Sequence, residues 1–124
     1  MRNLEHALQK SCVRWFDLQY PKHRLSLFAV PNGGMRNKTT AGKLKAEGVR
    51  SGVSDLCLLA NGTIVFIEMK IPGNTTTDTQ KEFGYHVSKN GYPYHVIFDY
   101  DQFRKLIIQY LGDPSFDKSL KHQV

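Results

Sequence analysis

Asp55, Glu68 and Lys70 are set around an Asn61-Gly62 pair in the stretch Ser54-Asp-Leu-Cys-Leu-Leu-Ala-Asn-Gly-Thr-Ile-Val-Phe-Ile-Glu-Met-Lys70. Asn-Gly between two apolar runs is a strong hairpin signal. A two-residue loop sets Ala60 opposite Thr63, Cys57 opposite Phe66 and Asp55 opposite Glu68. Opposed residues share a sheet face, with Cβ atoms roughly 4.5–5.5 Å apart. Lys70 lies two residues beyond Glu68, so strand alternation places it on that face too. Two carboxylates and an ammonium gathered this way suit a hard divalent cation and a phosphate. Phosphodiester cleavage needs an activated water and relief of charge on the phosphate and the leaving oxygen, and a carboxylate-bound Mg²⁺ supplies both. Asp55 and Glu68 are therefore the expected metal ligands. Lys70 would orient the water or neutralise developing charge. The plainer alternative is a solvated face on which Lys70 pairs with Glu68. Ile64 and Phe66 share that face and make it apolar at one end, which argues for the site. A bulge in either strand would shift the pairing and break the geometry.

Several elements must hold these residues. Residues 3–19 carry Leu4, Leu8, Cys12 and Trp15 at helical spacing, with Ala7 and Ser11 in the same stripe and Pro21 beyond. Residues 25–30 suit a buried strand ending at Pro31-Asn-Gly-Gly34. Residues 40–47 suit a short basic helix, and the hairpin strands are expected at about 54–60 and 63–70. Thr77 and Gln80 match a capping box opening a helix with Gln80, Phe83, Gly84 and Val87 on one stripe, stopped by Asn90-Gly91. Gln80 should point toward the sheet. Residues 94–98 suit a buried strand. A last helix starts at Asp101 or a neighbour and runs through Leu111, with Phe103, Leu106, Ile107 and Tyr110 apolar. Tyr92, Tyr94 and Tyr100 are expected in core packing. A helix between the second hairpin strand and the next strand implies a parallel crossover, hence a mixed sheet. The expected fold is an α/β sandwich with helices on both faces. One domain over 1–112 is followed by a polar, flexible tail over 113–124.

The 124 residues fit one domain with a modest core. No apolar run approaches the roughly 18–20 residues that span a bilayer, and the N-terminus lacks the apolar stretch of a signal peptide. A cytoplasmic protein without membrane association is expected. Cys12 and Cys57 lack metal or redox spacing and read as reduced core thiols. The five histidines show no zinc-binding pattern. No glycine-rich phosphate loop is present, so a nucleotide cofactor is not expected. The net charge of +6 favours a polyanionic partner. Arg36, Lys38, Lys43, Lys45 and Arg50 cluster just before Asp55, as a phosphate track for DNA would. Asn32 and the glycines after it either approach a phosphate or form a simple turn.

Asp55 with Glu68-Met69-Lys70 resembles the PD-(D/E)XK nuclease superfamily. Gly48-Val-Arg-Ser-Gly-Val-Ser-Asp55, Gln80, Gly91 and Pro31-Asn-Gly-Gly34 extend the likeness, over about residues 3–100, to the VRR-NUC family of virus-type replication-repair nucleases. Ser54 stands where that family usually has proline, and Ser51 replaces its second basic residue, a departure that touches phosphate contact at 51 but neither metal ligand. The resemblance implies a restriction-endonuclease-like core. It implies Asp55, Glu68, the Met69 carbonyl and Glu5 as ligands of Mg²⁺ or Mn²⁺, Lys70 as the catalytic lysine, and Gln80 as a further catalytic-site residue. It also implies a phage-like, homodimeric endonuclease similar to Holliday-junction resolvases, acting on branched DNA in repair. A nuclease for flaps, nicks or duplex DNA is a second reading. A non-catalytic nucleic-acid-binding module is a third.

Overall fold

The computed structural model describes residues 2–31 and 38–115. Helix α1 (Arg2–Gln19) leads through a short 3-10 helix (Pro21–Ser26) into strand β1 (Leu27–Ala29). Helix α2 (Lys38–Ala46) precedes a hairpin of β2 (Leu56–Ala60) and β3 (Thr63–Met69). Helix α3 (Asp78–Lys89), strand β4 (Tyr94–Ile97) and helix α4 (Tyr100–Leu111) follow.

The sheet order is β1-β2-β3-β4. The first three strands are antiparallel, and β4 joins β3 in parallel across the α3 crossover. This is the expected mixed sheet. The hairpin has the register anticipated from Asn61-Gly62, with Ala60 opposite Thr63 and Cys57 opposite Phe66. Asn61 and Gly62 both adopt positive φ, 55° and 76°, as a tight two-residue reversal requires.

Alternation divides the sheet into two faces. Leu56, Leu58, Ala60, Val65, Ile67 and Met69 join the core with residues of α1 and α4. From α1 come Cys12 and Phe16, from the residue that follows it Tyr20, and from α4 Phe103, Leu106 and Ile107. Phe66, Glu68 and Tyr94 lie on the other face, where the Phe83 ring of α3 meets those of Phe66 and Tyr94 edge-on. Helices thus cover both faces. Cys12 and Cys57 are free buried thiols, and burial holds Cys12 up at about 12.

Local expectations needed several corrections. The stretch 25–30 is not a buried strand: its first two residues belong to the 3-10 helix, and β1 is a three-residue edge strand with Phe28 and Ala29 exposed. Residues 94–98 are not fully buried either, because β4 is the other edge and only Ile97 is buried. The last helix, by contrast, begins as expected at a neighbour of Asp101, Tyr100, with Asp99 accepting the Gln102 N–H at 2.8 Å as its cap. Leu4 is exposed, whereas Leu8, Cys12 and Trp15 of the expected stripe reach the core, joined there by Phe16. Tyr92 and Tyr100 lie at the surface rather than in the core. Residues 116–124 of the expected tail are outside the described residues.

Candidate active site

The β2–β3 hairpin delivers the acidic pair. Asp55 lies one residue before the first ladder pair, Leu56 with Ile67, so β2 starts two residues later than expected. The expected Asp55–Glu68 pair therefore lies outside the ladder, although the two carboxyls adjoin. Asp55 Oδ2 accepts the Met69 N–H at 2.8 Å, and the Asp55 carbonyl accepts the Val30 N–H at 2.9 Å. The Met69 N–H thus holds the carboxylate on the β3 side, while the Asp55 backbone is tied to Val30 on the β1 side. Ser54, in the position where proline is usual, is wholly buried and donates its hydroxyl to the Leu56 carbonyl at 3.2 Å.

Glu68 is 1% exposed and Lys70 7% exposed. The bland reading of these charges as a solvated face fails on that burial. The described ion pairs are Arg24 with Asp17 and Arg104 with Asp101, so Lys70 forms no salt bridge with Glu68. The Lys70 charge still acts on Glu68 and favours its ionised form. Burial, then the adjoining Asp55 carboxyl, outweigh that influence and push Glu68 up to about 9.

Gln80 resolves into two roles held at once. The Thr77 N–H donates to Gln80 Oε1 at 2.8 Å, and the Gln80 N–H donates to Thr77 Oγ1 at 3.3 Å. These bonds form the capping box. The amide's other end is then fixed in direction, and Nε2 donates to Glu68 Oε2 at 3.0 Å. Glu68 Oε1 is buried without a hydrogen-bond partner among the described residues.

Gly52 docks the loop that carries Asp55 against α3. Its φ is +81°, and a Cβ there would stand 2.2 Å from the Thr79 carbonyl oxygen. Sequence reasoning missed this contact because it joins segments distant along the chain.

Other expected residues take varied positions. Glu5 is half-buried in the first turn of α1, and its charge acts on Glu68 more weakly than those of Asp55 and Lys70. Among the described residues, no three acidic, histidine or cysteine side chains form a metal-holding group. Met69 turns its side chain into the opposite core, leaving its backbone at the site. Lys45 and Arg50 flank one groove with Ala41, Gly42, Val49 and Ser51. Arg50 also borders a second groove with Thr79, Phe83 and His86. Lys43 is exposed in the last turn of α2. Asn32 and Arg36, and the side chain of Lys38, lie outside the described residues.

The family model of the VRR-NUC domain matches residues 3–98. The chain belongs to the VRR-NUC family. It is accordingly a nuclease domain of the PD-(D/E)XK type, whose family substrate is DNA and whose relatives generally use divalent metals. A solved structure titled VRR_NUC domain protein is similar to it at 30% identity with a TM-score of 0.73. That likeness covers 88% of this chain and 90% of the other. No curated protein matches. Among the described residues, no helix is long and apolar enough to cross a membrane.

The residues of this VRR-NUC domain fit a hard cation. Two adjoining carboxylates, one with a buried oxygen lacking a protein donor, offer the oxygen ligands that Mg²⁺ and Mn²⁺ prefer. A residue at a strand end directs its N–H and C=O to the same side, so the Met69 carbonyl faces the Asp55 side.

Proposed function

We propose that this chain is a Mg²⁺- or Mn²⁺-dependent DNA endonuclease, acting on branched DNA as a homodimer of the Holliday-junction resolvase kind. Its carrying observation is the buried acidic pair of Asp55 and Glu68, where one Glu68 oxygen is held by Gln80 and the other lacks a protein donor. A divalent cation can take the place of the proton that burial and Asp55 otherwise hold on Glu68. Asp55, Glu68 and the Met69 carbonyl would hold it, with Glu5 contributing from α1. When bound, the metal activates water and offsets charge on the phosphoryl oxygens.

The protein's own groups account for the remainder. Gln80 orients Glu68 through a hydrogen bond whose direction the helix cap sets. Lys70 keeps its ammonium in a poorly solvated position, where its charge acts strongly on an adjacent phosphate or attacking water. Lys43, Lys45 and Arg50, with Asn32, Arg36 and Lys38, would contact DNA phosphates and set affinity without reading sequence. Symmetric cutting of a four-way junction needs two sites, whereas one small domain has one, which supports a dimer.

A cleavage panel of junction, flap, nicked duplex, linear duplex and single strand, with Mg²⁺ and with Mn²⁺, tests this reading. Preferential paired cuts in the junction are expected, lost in Asp55→Ala and Lys70→Ala. Sedimentation should show a dimer. Preference for flaps or nicks would replace the resolvase reading, and no cleavage of any substrate with either metal would leave a binding module.

A further inference from the structure

The β2–β3 ladder stops short of Met69, and the break carries an inference that rests on the proposed metal site. Hydrogen-bonded pairs recur at every second residue of an antiparallel ladder. Counted from Ala60–Thr63, which closes the two-residue turn, they fall at Leu58–Val65 and Leu56–Ile67, and the next in register is Ser54–Met69. That pair is not made: β2 begins at Leu56, whereas β3 continues to Met69. The Met69 N–H, which the register would give to the Ser54 carbonyl, donates to Asp55 Oδ2 at 2.8 Å instead. The Met69 carbonyl, which the register would give to the Ser54 N–H, still faces the Asp55 side. One missing pair thus aims a carboxylate and leaves a carbonyl without its ladder partner. Both are ligands in the proposed centre.

Ser54 has a different partner. Its hydroxyl donates forward to the Leu56 carbonyl at 3.2 Å, spanning Asp55. Short bonds of this kind, from a serine to nearby backbone, compete with ladder pairing. Ser54 is wholly buried, so water does not compete for the hydroxyl. On the other side, the Asp55 carbonyl accepts the Val30 N–H at 2.9 Å and ties the Asp55 backbone toward β1. With residue 54 folded toward Leu56 and the Asp55 backbone committed to Val30, the Asp55 side chain is the group left to meet Met69.

We propose that Ser54 is a positioning residue of the metal centre, whose hydroxyl bond to the Leu56 carbonyl holds the ladder open at Met69 and so presents the Asp55 carboxylate and the Met69 carbonyl to the cation. Loss of an outer hydrogen bond that orients a ligand typically weakens metal affinity by about 10- to 100-fold.

Backbone NMR of the metal-free protein tests the open strand end, and Mn²⁺ titration by calorimetry tests its consequence. In the parent protein the Met69 amide proton should resonate downfield, because its acceptor is a charged carboxylate. Asp55→Ala gives the position it takes without that acceptor. Ser54→Ala should move the Met69 amide toward that position and bind Mn²⁺ at least about 10-fold more weakly. Ser54→Thr keeps a hydroxyl and should hold both readouts near the parent values. A role in packing alone would give the opposite pattern, since the buried site tolerates a smaller side chain better than a larger one. Ser54→Ala with the parent's Met69 resonance, or with the parent's Mn²⁺ affinity, would overturn the assignment while leaving the nuclease reading intact. Equal losses in the alanine and threonine variants would overturn it too. A Met69 amide that moves as expected in a protein that binds no Mn²⁺ would overturn the metal reading and the positioning role with it, the open strand end alone surviving.

Discussion

At the residue scale, Glu68 is shaped by opposing demands. Its carboxyl is buried beside Asp55, which favours the protonated form, yet metal binding requires the ionised form. In the metal-free protein its value near 9 lies above the ordinary 4.5, so folding takes up a proton between those pH values. Stability is therefore full below about 4.5 and declines as pH rises toward about 9. Glu68→Gln removes that decline. The variant should lose cleavage but melt higher than the parent in EDTA at pH 8, with the gap closing toward pH 4.5. Each 1 kcal/mol of gain corresponds to about 4 °C for a domain of this size. Calorimetric melting at pH 5, 6.5 and 8 checks this, and a gap independent of pH would contradict it. The two-residue period that would put Glu68 and Lys70 on one face is local and readable in the sequence, although β3 itself ends at Met69. Their burial is not, since it depends on α3 closing over that face.

At the scale of elements, the site is the seam between the hairpin and α3. The capping box at Thr77 and Gln80 was readable because its partners lie within one helical turn. The hairpin register was readable because two residues set it. By contrast, β1 is curtailed by a preceding 3-10 turn, and neither its shortness nor the edge position of β4 has a local signature. Gly52 belongs with these, because its close neighbour is Thr79 on another element. It permits a variant pair that isolates the seam. Gly48 and Gly52 both have positive φ, but a Cβ at 48 meets open space, whereas at 52 it would strike α3. Gly48→Ala should lose only the backbone strain, about 1–3 kcal/mol. Gly52→Ala should lose more stability and, at a temperature where both are folded, should also cleave at least about 10-fold more slowly, because the Asp55 loop is pushed from Gln80. Chemical denaturation and single-turnover cleavage separate the two effects. Similar rates for both variants would show that the seam does not position the chemistry.

At the scale of the molecule, charge and architecture point to the same side. The net charge is +6, and Lys45 and Arg50 border grooves beside the loop that leads to Asp55. The opposite face of the sheet is closed by α1 and α4 around an apolar core. DNA reaching Asp55 and Glu68 would therefore meet Lys45 and Arg50 before it meets α4. Each phosphate contact that releases counterions contributes about 0.9 to the slope of log affinity against log salt. Lys45→Ala and Arg50→Ala should each weaken binding to junction DNA and lower that slope by about 1, regardless of base sequence. Lys105 is exposed on α4 and should leave the slope unaltered when replaced by alanine. Binding isotherms in Ca²⁺, which suppresses cutting, measured over a series of salt concentrations, give all three slopes. If Lys105→Ala changed the slope as much as Arg50→Ala, the phosphate track would have to pass over α4, and the approach to the acidic pair from the α2 side would be wrong.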